Sequence, residues 1–333
     1  MRWFLGAIAA MIAIIAIVLV GSYFVLKRSD IPYAVLEQTY ANEASQYLDL
    51  DTGVRVHFRD QGQPAGAPTL LLVHGFSASL HTWEPWVERL GENYRVISLD
   101  LPGHGLTQAP EDYDASIDAY VRVVEEFVAK QNLSRFAIAG NSMGGNVSWE
   151  YALTHPEQVE ALILVNASGW EDTRAEVRDE PRIFQLLRNP VLGPLMRDLD
   201  NTALIRQGLE AAYADETIVD TALVQRHADL SRAPGHRDIL LQMTLGFRER
   251  NFATPERLAP LANMPVLIIQ GDIDRVVPPE HARQFNEAIS GSQLMWMEGV
   301  GHVPQETDAD ETATAVHDFL YAVFERSALA TAN

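Results

Sequence analysis

Short runs of mostly apolar residues recur along the chain, separated by stretches with helical periodicity, and most of the runs end in a glycine-rich or polar loop. Thr69 to Val73, Arg95 to Asp100, Arg135 to Ala139, Val159 to Val165, Pro265 to Gly271 and Gln293 to Met297 read as strands, several of them apolar on both faces. Between them, Ser116 to Lys130 places Ile117, Tyr120, Val121, Val124, Phe127 and Val128 on one helical face, and Asn146 to His155 continues as a helix up to Pro156. A closing helix presents Val316, Phe319, Leu320, Val323 and Phe324. This alternation predicts a mostly parallel sheet covered by helices on both faces.

Four stretches depart from that rhythm. Val54, Val56 and Phe58 alternate with Arg55, His57 and Arg59, the pattern of an edge or half-buried strand. Ser29 to Tyr47 has little apolar periodicity and reads as a tether. From Glu171 to about Asn263 no run reads as a buried strand; the segment is polar, Arg-rich and helical, too long for a loop, and is an inserted subdomain. Trp3 to Leu26 carries no charge and is followed by Lys27-Arg28. As a helix it would reach about 36 Å against a hydrocarbon core of about 30 Å, so it predicts an uncleaved membrane anchor. A signal peptide fits less well, because the run is long and no small-x-small cleavage site precedes Lys27. The flanking charges nearly balance; a single anchor near the N-terminus leads to the expectation that the large domain lies on the non-cytoplasmic side. The predicted division is an anchor over 1–28, a tether over 29–47, core over 48–170, an inserted segment over 171–263, core over 264–326 and a tail over 327–333.

Charge narrows the partners. The chain has 25 basic and 45 acidic residues; without Arg2, Lys27 and Arg28 the remainder has 22 against 45, a net charge of −23. That disfavours nucleic acid as a partner and points to a neutral rather than an anionic substrate. There is no cysteine, which removes disulfides, thiol catalysis and zinc-thiolate sites.

The candidate chemistry begins at Gly140-Asn141-Ser142-Met143-Gly144-Gly145. A serine hydroxyl becomes a useful nucleophile when a tight strand-to-helix turn holds it out where a base can reach it. Gly140-x-Ser142-x-Gly144 provides such a turn, at the end of a buried strand and the start of a helix. The bare pattern recurs by chance; the context makes it specific. Two later strand ends supply partners. Gly271-Asp272-Ile273-Asp274 offers two carboxylates, and Gly301-His302-Val303-Pro304 offers an imidazole. A serine needs a base, and the base needs an anion to fix its tautomer.

Together these motifs resemble the α/β-hydrolase fold of serine hydrolases with an inserted helical cap, over roughly Leu48 to Arg326. His74-Gly75-Phe76 resembles the family's oxyanion loop, Asp100-x-Pro102-Gly103-His104-Gly105 its strand-four turn, Gly271-x-x-Asp274-x-x-Val277-Pro278 its acid loop and Gly301-His302-x-Pro304 its histidine loop. The resemblance implies Ser142 as nucleophile, His302 as base, Asp274 rather than Asp272 as acid, and an oxyanion hole from the backbone N–H groups of Phe76 and Met143. It implies no cofactor and no metal, and structural roles for His74 and His104. His57, His81, His227 and His317 read as surface or packing residues. With the anchor, the apolar cap residues Phe184, Leu186, Leu187, Leu192, Leu195 and Met196 favour a small apolar ester. The whole resembles membrane-tethered monoacylglycerol lipases and lipase-like esterases. A carbon–carbon hydrolase of ring meta-cleavage products shares the elbow, but those enzymes tend to show a Gly-Pro-Gly oxyanion loop and often a tryptophan where Val303 stands. Epoxide hydrolases and dehalogenases need an aspartate at position 142. A catalytically silent, membrane-tethered binding protein would have no need of all of Ser142, Asp274 and His302.

Overall fold

Strand β3 (Thr69–Val73) is apolar apart from its first residue and buried throughout, and it lies near the middle of an eight-stranded sheet. The computed structural model describes residues 4, 11, 14, 17, 18, 21–64, 66–171, 189, 192–246 and 252–331. The sheet adds β1 (Ser45–Asp49), β2 (Arg55–Gly62), β4 (Arg95–Leu99), β5 (Phe136–Asn141), β6 (Val159–Val165), β7 (Val266–Gly271) and β8 (Gln293–Met297) in the order β1-β2-β4-β3-β5-β6-β7-β8. β1 pairs antiparallel with β2, and β2 antiparallel with β4; every other pairing is parallel. The strands therefore deliver their following loops to one edge, where open parallel sheets build sites.

The period-two alternation of side chains divides the core between the two faces. Leu71 and Val73 join Ile97, Ile138, Leu162 and Leu164 beneath α3 (Ile117–Lys130) and α4 (Met143–Thr154). Leu70 and Leu72 join Val96, Ala137, Ala139 and Ile163 beneath α2 (Glu84–Leu90) and α12 (Ala309–Thr331). Each such fully buried aliphatic side chain contributes roughly 1.5–3 kcal/mol, which is why these strands carry almost no polar residues. α3 begins where Ser116 accepts a hydrogen bond from the Ala119 N–H, and it buries Ile117, Tyr120, Val121, Val124, Phe127 and Val128. This is the face that the periodicity predicts.

Between β6 and β7 the described residues are helical: α5 (Leu192–Arg197), α6 (Thr202–Tyr213), α7 (Thr221–Ser231), α8 (His236–Leu245) and α9 (Pro255–Leu258). They meet the loops at the carboxyl edge, as where His227 of α7 bonds the Ser77 carbonyl and His302 bonds the Ala212 carbonyl. Ala253, Leu258 and Leu261 already belong to the main core, so the insertion gives way to core before Asn263. Phe184, Leu186 and Leu187 lie outside the described residues. After β7, α10 (Glu280–Ala288) leads to β8, and α11 (Pro304–Thr307) precedes α12. α12 continues past Arg326 to Thr331, so most of the expected tail is helix.

Two further expectations are corrected. Residues 29–47 are not a plain tether: α1 (Tyr33–Tyr40) buries Leu36 against Leu106, Leu230 and Ala233, and β1 begins at Ser45. One buried position in an eight-residue helix leaves no readable period. The polar face of β2 is also buried beyond Arg55, with His57 fully enclosed and Arg59 at 2% exposure. Its partners come from distant loops: His57 bonds Asp100, and Arg59 bonds Glu84 at 2.6 Å and the Tyr40 carbonyl at 3.1 Å. Local alternation cannot register pairings of that range.

Most of residues 1–20 lies outside the described residues. Gly21 to Leu26 is helical with Phe24 and Val25 exposed, but among the described residues no helix is long and apolar enough to cross a membrane. The anchor expected over 1–28 therefore has no support from the structure.

Candidate active site

Ser142 stands between the last residue of β5 and the first of α4, with φ 53° and ψ −117°. A serine with positive φ costs about 1–3 kcal/mol and persists only where its surroundings hold it. Here the Ser142 N–H donates to the Val165 carbonyl at 3.0 Å, and the Ser142 carbonyl accepts from Ser168 N–H at 3.0 Å and Asn146 N–H at 3.2 Å. The flanking glycines are forced by proximity. A Cβ on Gly144 would stand 2.1 Å from the Val73 carbonyl oxygen, and one on Gly140 would stand 2.1 Å from that of Gly144. The strand-to-helix crossing leaves room for hydrogen only.

His302 follows β8 and Asp274 follows β7. Their side chains meet, His302 Nδ1 lying 2.7 Å from Asp274 Oδ2, and both residues are 5% exposed. The same carboxylate oxygen accepts from Asn166 Nδ2 at 2.7 Å, while Oδ1 accepts from the N–H groups of Val276 at 2.7 Å and Val277 at 3.0 Å. Burial pushes the Asp274 carboxyl upward, but His302, Asn166 and the Val276 N–H together outweigh it and hold the pKa below its ordinary value. The acid thus stays ionised and aimed at the ring. Asp272 is placed elsewhere, with its carboxylate accepting from the Gly299 N–H. The spacing preference for Asp274 over Asp272 matches this geometry.

The base loop is tied directly to the elbow. Asn141, immediately before Ser142, donates from Nδ2 to the His302 carbonyl at 3.1 Å and the Val165 carbonyl at 3.2 Å. On the other side of Ser142, a Cβ on Gly75 would be 3.2 Å from the Ser142 Cβ, so the His74-Gly75-Phe76 loop passes against the serine. The backbone N–H groups of Phe76 and Met143 have no carbonyl partner among the described residues. The Met143 N–H belongs to the first turn of α4, where helix donors are unpaired and anions are favoured.

His74 is a brace. Its Nδ1–H donates to the Gly75 carbonyl at 2.7 Å and its Nε2 accepts from the Leu101 N–H at 3.0 Å, which fixes the tautomer. His104 donates from Nδ1 to the Pro102 carbonyl at 3.0 Å, and burial lowers the pKa of both rings. His81 bonds Ser79, and His317 contacts the Tyr94 hydroxyl. Two residues that the sequence assigns no role of their own hold the site from behind. Asn166 is one. Its only signal is a polar residue at the end of the apolar run 159–165. Asp100 is the other, fully buried, accepting from His57 Nδ1 at 2.7 Å, Leu106 N–H at 2.9 Å and Leu80 N–H at 2.8 Å. Burial alone would raise its pKa, yet the hydrogen bond from His57 first, and then the electrostatic pull of His57, His74 and His81, hold it well below the carboxylate range.

A cavity of about 690 Å³ lies on the flank of α4, lined by Asp112, Asp114, Asp118, Asn146, Glu150 and Met243. None of Ser142, Asp274 or His302 lines it, and its acidic wall suits neither an acyl chain nor an oxyanion. Among the described residues no three His, Asp or Glu side chains converge as a metal site would require.

A sheet with this strand order, a strained serine at the β5–α4 turn and an Asp–His pair on the next strand ends define a hydrolase architecture. Residues 68–309 match the family model for the alpha/beta hydrolase fold, and the chain belongs to that family. It is 29% identical to Lipase 1 of Psychrobacter immobilis over 275 residues, covering 80% of each chain. It is 26% identical to 2-hydroxymuconate semialdehyde hydrolase of Pseudomonas sp. (strain CF600) over 274 residues, covering 80% of this chain and 91% of that one. Among solved structures, a membrane phospholipase A described as a bacterial virulence factor superposes with a TM-score of 0.69 at 26% identity, covering 97% of this chain and 99% of the other.

Proposed function

We propose that the protein is a serine hydrolase of carboxylic esters, acting on neutral, lipid-like esters such as monoacylglycerols through an acyl-enzyme on Ser142. The observation that carries this reading is the 2.7 Å contact of His302 Nδ1 with Asp274, which commits that nitrogen to donating and leaves Nε2 as the basic face of the ring. Ser142 Oγ bonds to the ester carbonyl carbon as Nε2 takes its proton. The carbonyl oxygen becomes an oxyanion held by the Phe76 and Met143 N–H groups. Collapse breaks the carbon–oxygen bond to the alcohol, which leaves with the proton from His302. A water then repeats the sequence in reverse, giving the free acid and restoring Ser142. Asp274 stays ionised throughout.

The substrate class rests on the negative charge of the chain, on the exposed Leu192 and Leu195 of α5, and on the likeness to Lipase 1 and the membrane phospholipase A. Residues 1–28 are proposed as a membrane anchor with the catalytic domain on the non-cytoplasmic side. The sequence of that run supports this; at its end Arg28 N–H donates to the Asp198 carbonyl and Asp200 N–H to the Leu26 carbonyl, each at 2.8 Å. The end of the apolar run is thereby fixed to the insertion.

The second reading is carbon–carbon hydrolysis of ring meta-cleavage products, favoured by the elbow Gly140-Asn141-Ser142-Met143-Gly144-Gly145 and by the likeness to 2-hydroxymuconate semialdehyde hydrolase. Turnover of p-nitrophenyl esters of increasing chain length, of monoacylglycerols and of a meta-cleavage product by the detergent-solubilised chain decides between them. The ester reading expects turnover that vanishes in Ser142→Ala; turnover of the dienone alone transfers the assignment to the second reading. Failure of a fluorophosphonate to label Ser142 would reduce the chain to a binding protein.

A further inference from the structure

The histidine loop is gripped by the insertion as well as by the core. The His302 N–H donates to the carbonyl of Ala212, near the end of α6, at 2.7 Å. One residue earlier, a Cβ on Gly301 would stand 2.6 Å from that same oxygen and 3.0 Å from the Ala214 Cβ, so helix and loop are in direct backbone contact. Ala214 itself has φ 57°, a left-handed cap that a non-glycine residue adopts at a cost. One residue later, Val303 packs with Leu209, Tyr213, Val219 and Val224 of the insertion. Four residues after His302, Glu306 Oε2 accepts from the Tyr213 hydroxyl at 2.5 Å and Oε1 accepts from Thr82 Oγ1 at 2.5 Å. Thr82 in turn accepts from Gln305 Nε2 at 2.8 Å. Tyr213 is 5% exposed, so its hydroxyl is desolvated and leaving it without this partner would be costly.

We infer that Tyr213 is a positioning residue for His302: through Glu306 it clamps α6 of the insertion onto the base loop, and the insertion is a structural part of the base's seat. The inference rests on the serine-hydrolase reading of the site. Two residues near the end of α6, Ala212 and Tyr213, touch the loop at His302 and at Glu306, on either side of the turn into α11. A base displaced by about 1 Å loses on the order of a hundredfold in rate, so small slippage of α6 is sufficient to matter. Burial pushes the Glu306 carboxyl up, against the bonds from Thr82 and Tyr213 and the charge of Arg226 of α7, which favour its anion; Glu84 of α2 opposes the anion.

Tyr213→Phe removes one hydroxyl and leaves the ring in place. In the full chain it is expected to lower kcat and the rate of fluorophosphonate labelling of Ser142 about ten- to a hundredfold with KM unchanged. The downfield proton resonance of His302 Nδ1–H, sharp in the parent because of its bond to Asp274, is expected to broaden. Glu306→Gln, whose single amide oxygen can serve only one of the two hydroxyls, is expected to fall between. A Tyr213→Phe chain with parental kcat and a parental resonance, whatever its Tm, overturns the inference. If that variant does not fold, Glu306→Gln decides by the same two readings. A parent chain that no fluorophosphonate labels would overturn the hydrolase reading alone, since the resonance still reports whether Tyr213 seats the ring.

Discussion

Asn166 and His302 share one oxygen of Asp274, each at 2.7 Å. The amide N–H is a permanent donor, so it favours the carboxylate over the carboxylic acid whether or not the ring is charged. Asn166→Ala should therefore raise the pKa of Asp274 towards its ordinary value and cost about tenfold in kcat. A pH–rate profile checks this: the acid limb of the variant should move to higher pH. Asp274→Asn should cost far more, about 10³ to 10⁴ in kcat, because the ring loses the partner that fixes its tautomer.

The positive φ of Ser142 makes nucleophile and strain the same residue. Ser142→Gly relieves the strain, against a smaller entropic cost for glycine, and should stabilise the fold by about 1 kcal/mol while abolishing turnover. Thermal melts of parent and variant would show a rise in Tm of roughly 2–4 °C. A variant that melts lower would mean that the turn is not strained.

Burial lowers the pKa of His81 and of His227 from 6.5 to about 4, and lowers those of His74, His104 and His236. Between those values and 6.5 the unfolded chain binds protons that the folded one does not. Stability is then complete above about pH 6.5 and falls as pH drops towards 4, by up to about 1.4 kcal/mol per pH unit for each ring. Urea unfolding at pH 7 and pH 5 should show this decline, and His227→Gln should reduce its slope. Asp274 and Asp100, both lowered, add their own losses only as pH falls below their ordinary value of 3.8.

Asp100 is fully enclosed and bonds groups from β2, from the turn before α2 and from the loop after β4. Asp100→Ala would leave His57 Nδ1 and two N–H groups without partners, and should destabilise by about 3–5 kcal/mol. Chemical denaturation measures it, with Asp100→Asn expected to lose less.

The sheet was legible because buried strands must be apolar on both faces, and β3 and β6 fall at the residues that pattern picks out; β8, a part-exposed edge strand, was legible from its short apolar run. Ser142, Asp274 and His302 were legible because a strand end is a place the pattern marks. What was not legible depends on pairing across the chain. His57 and Arg59 look solvent-facing until Asp100 and Glu84 are seen to meet them. Asn166 and Tyr213 carry no local mark of a role at the site, since one is a single amide at a strand end and the other an aromatic on the apolar face of an amphipathic helix. Residues 29–47 fold against the core through one buried leucine, a ring of partly buried residues such as Tyr33 and Tyr40, and bonds to distant partners such as His236 and Asp229, none of which periodicity can detect.

The order in which the chain emerges during synthesis has a consequence for the site. The elbow serine is complete once β5 and α4 exist, but its base hangs from the loop after β8, the last strand to be made. On the proposed serine-hydrolase reading, a nascent chain carries a nucleophile without its proton acceptor until β8 and the loop after it have emerged.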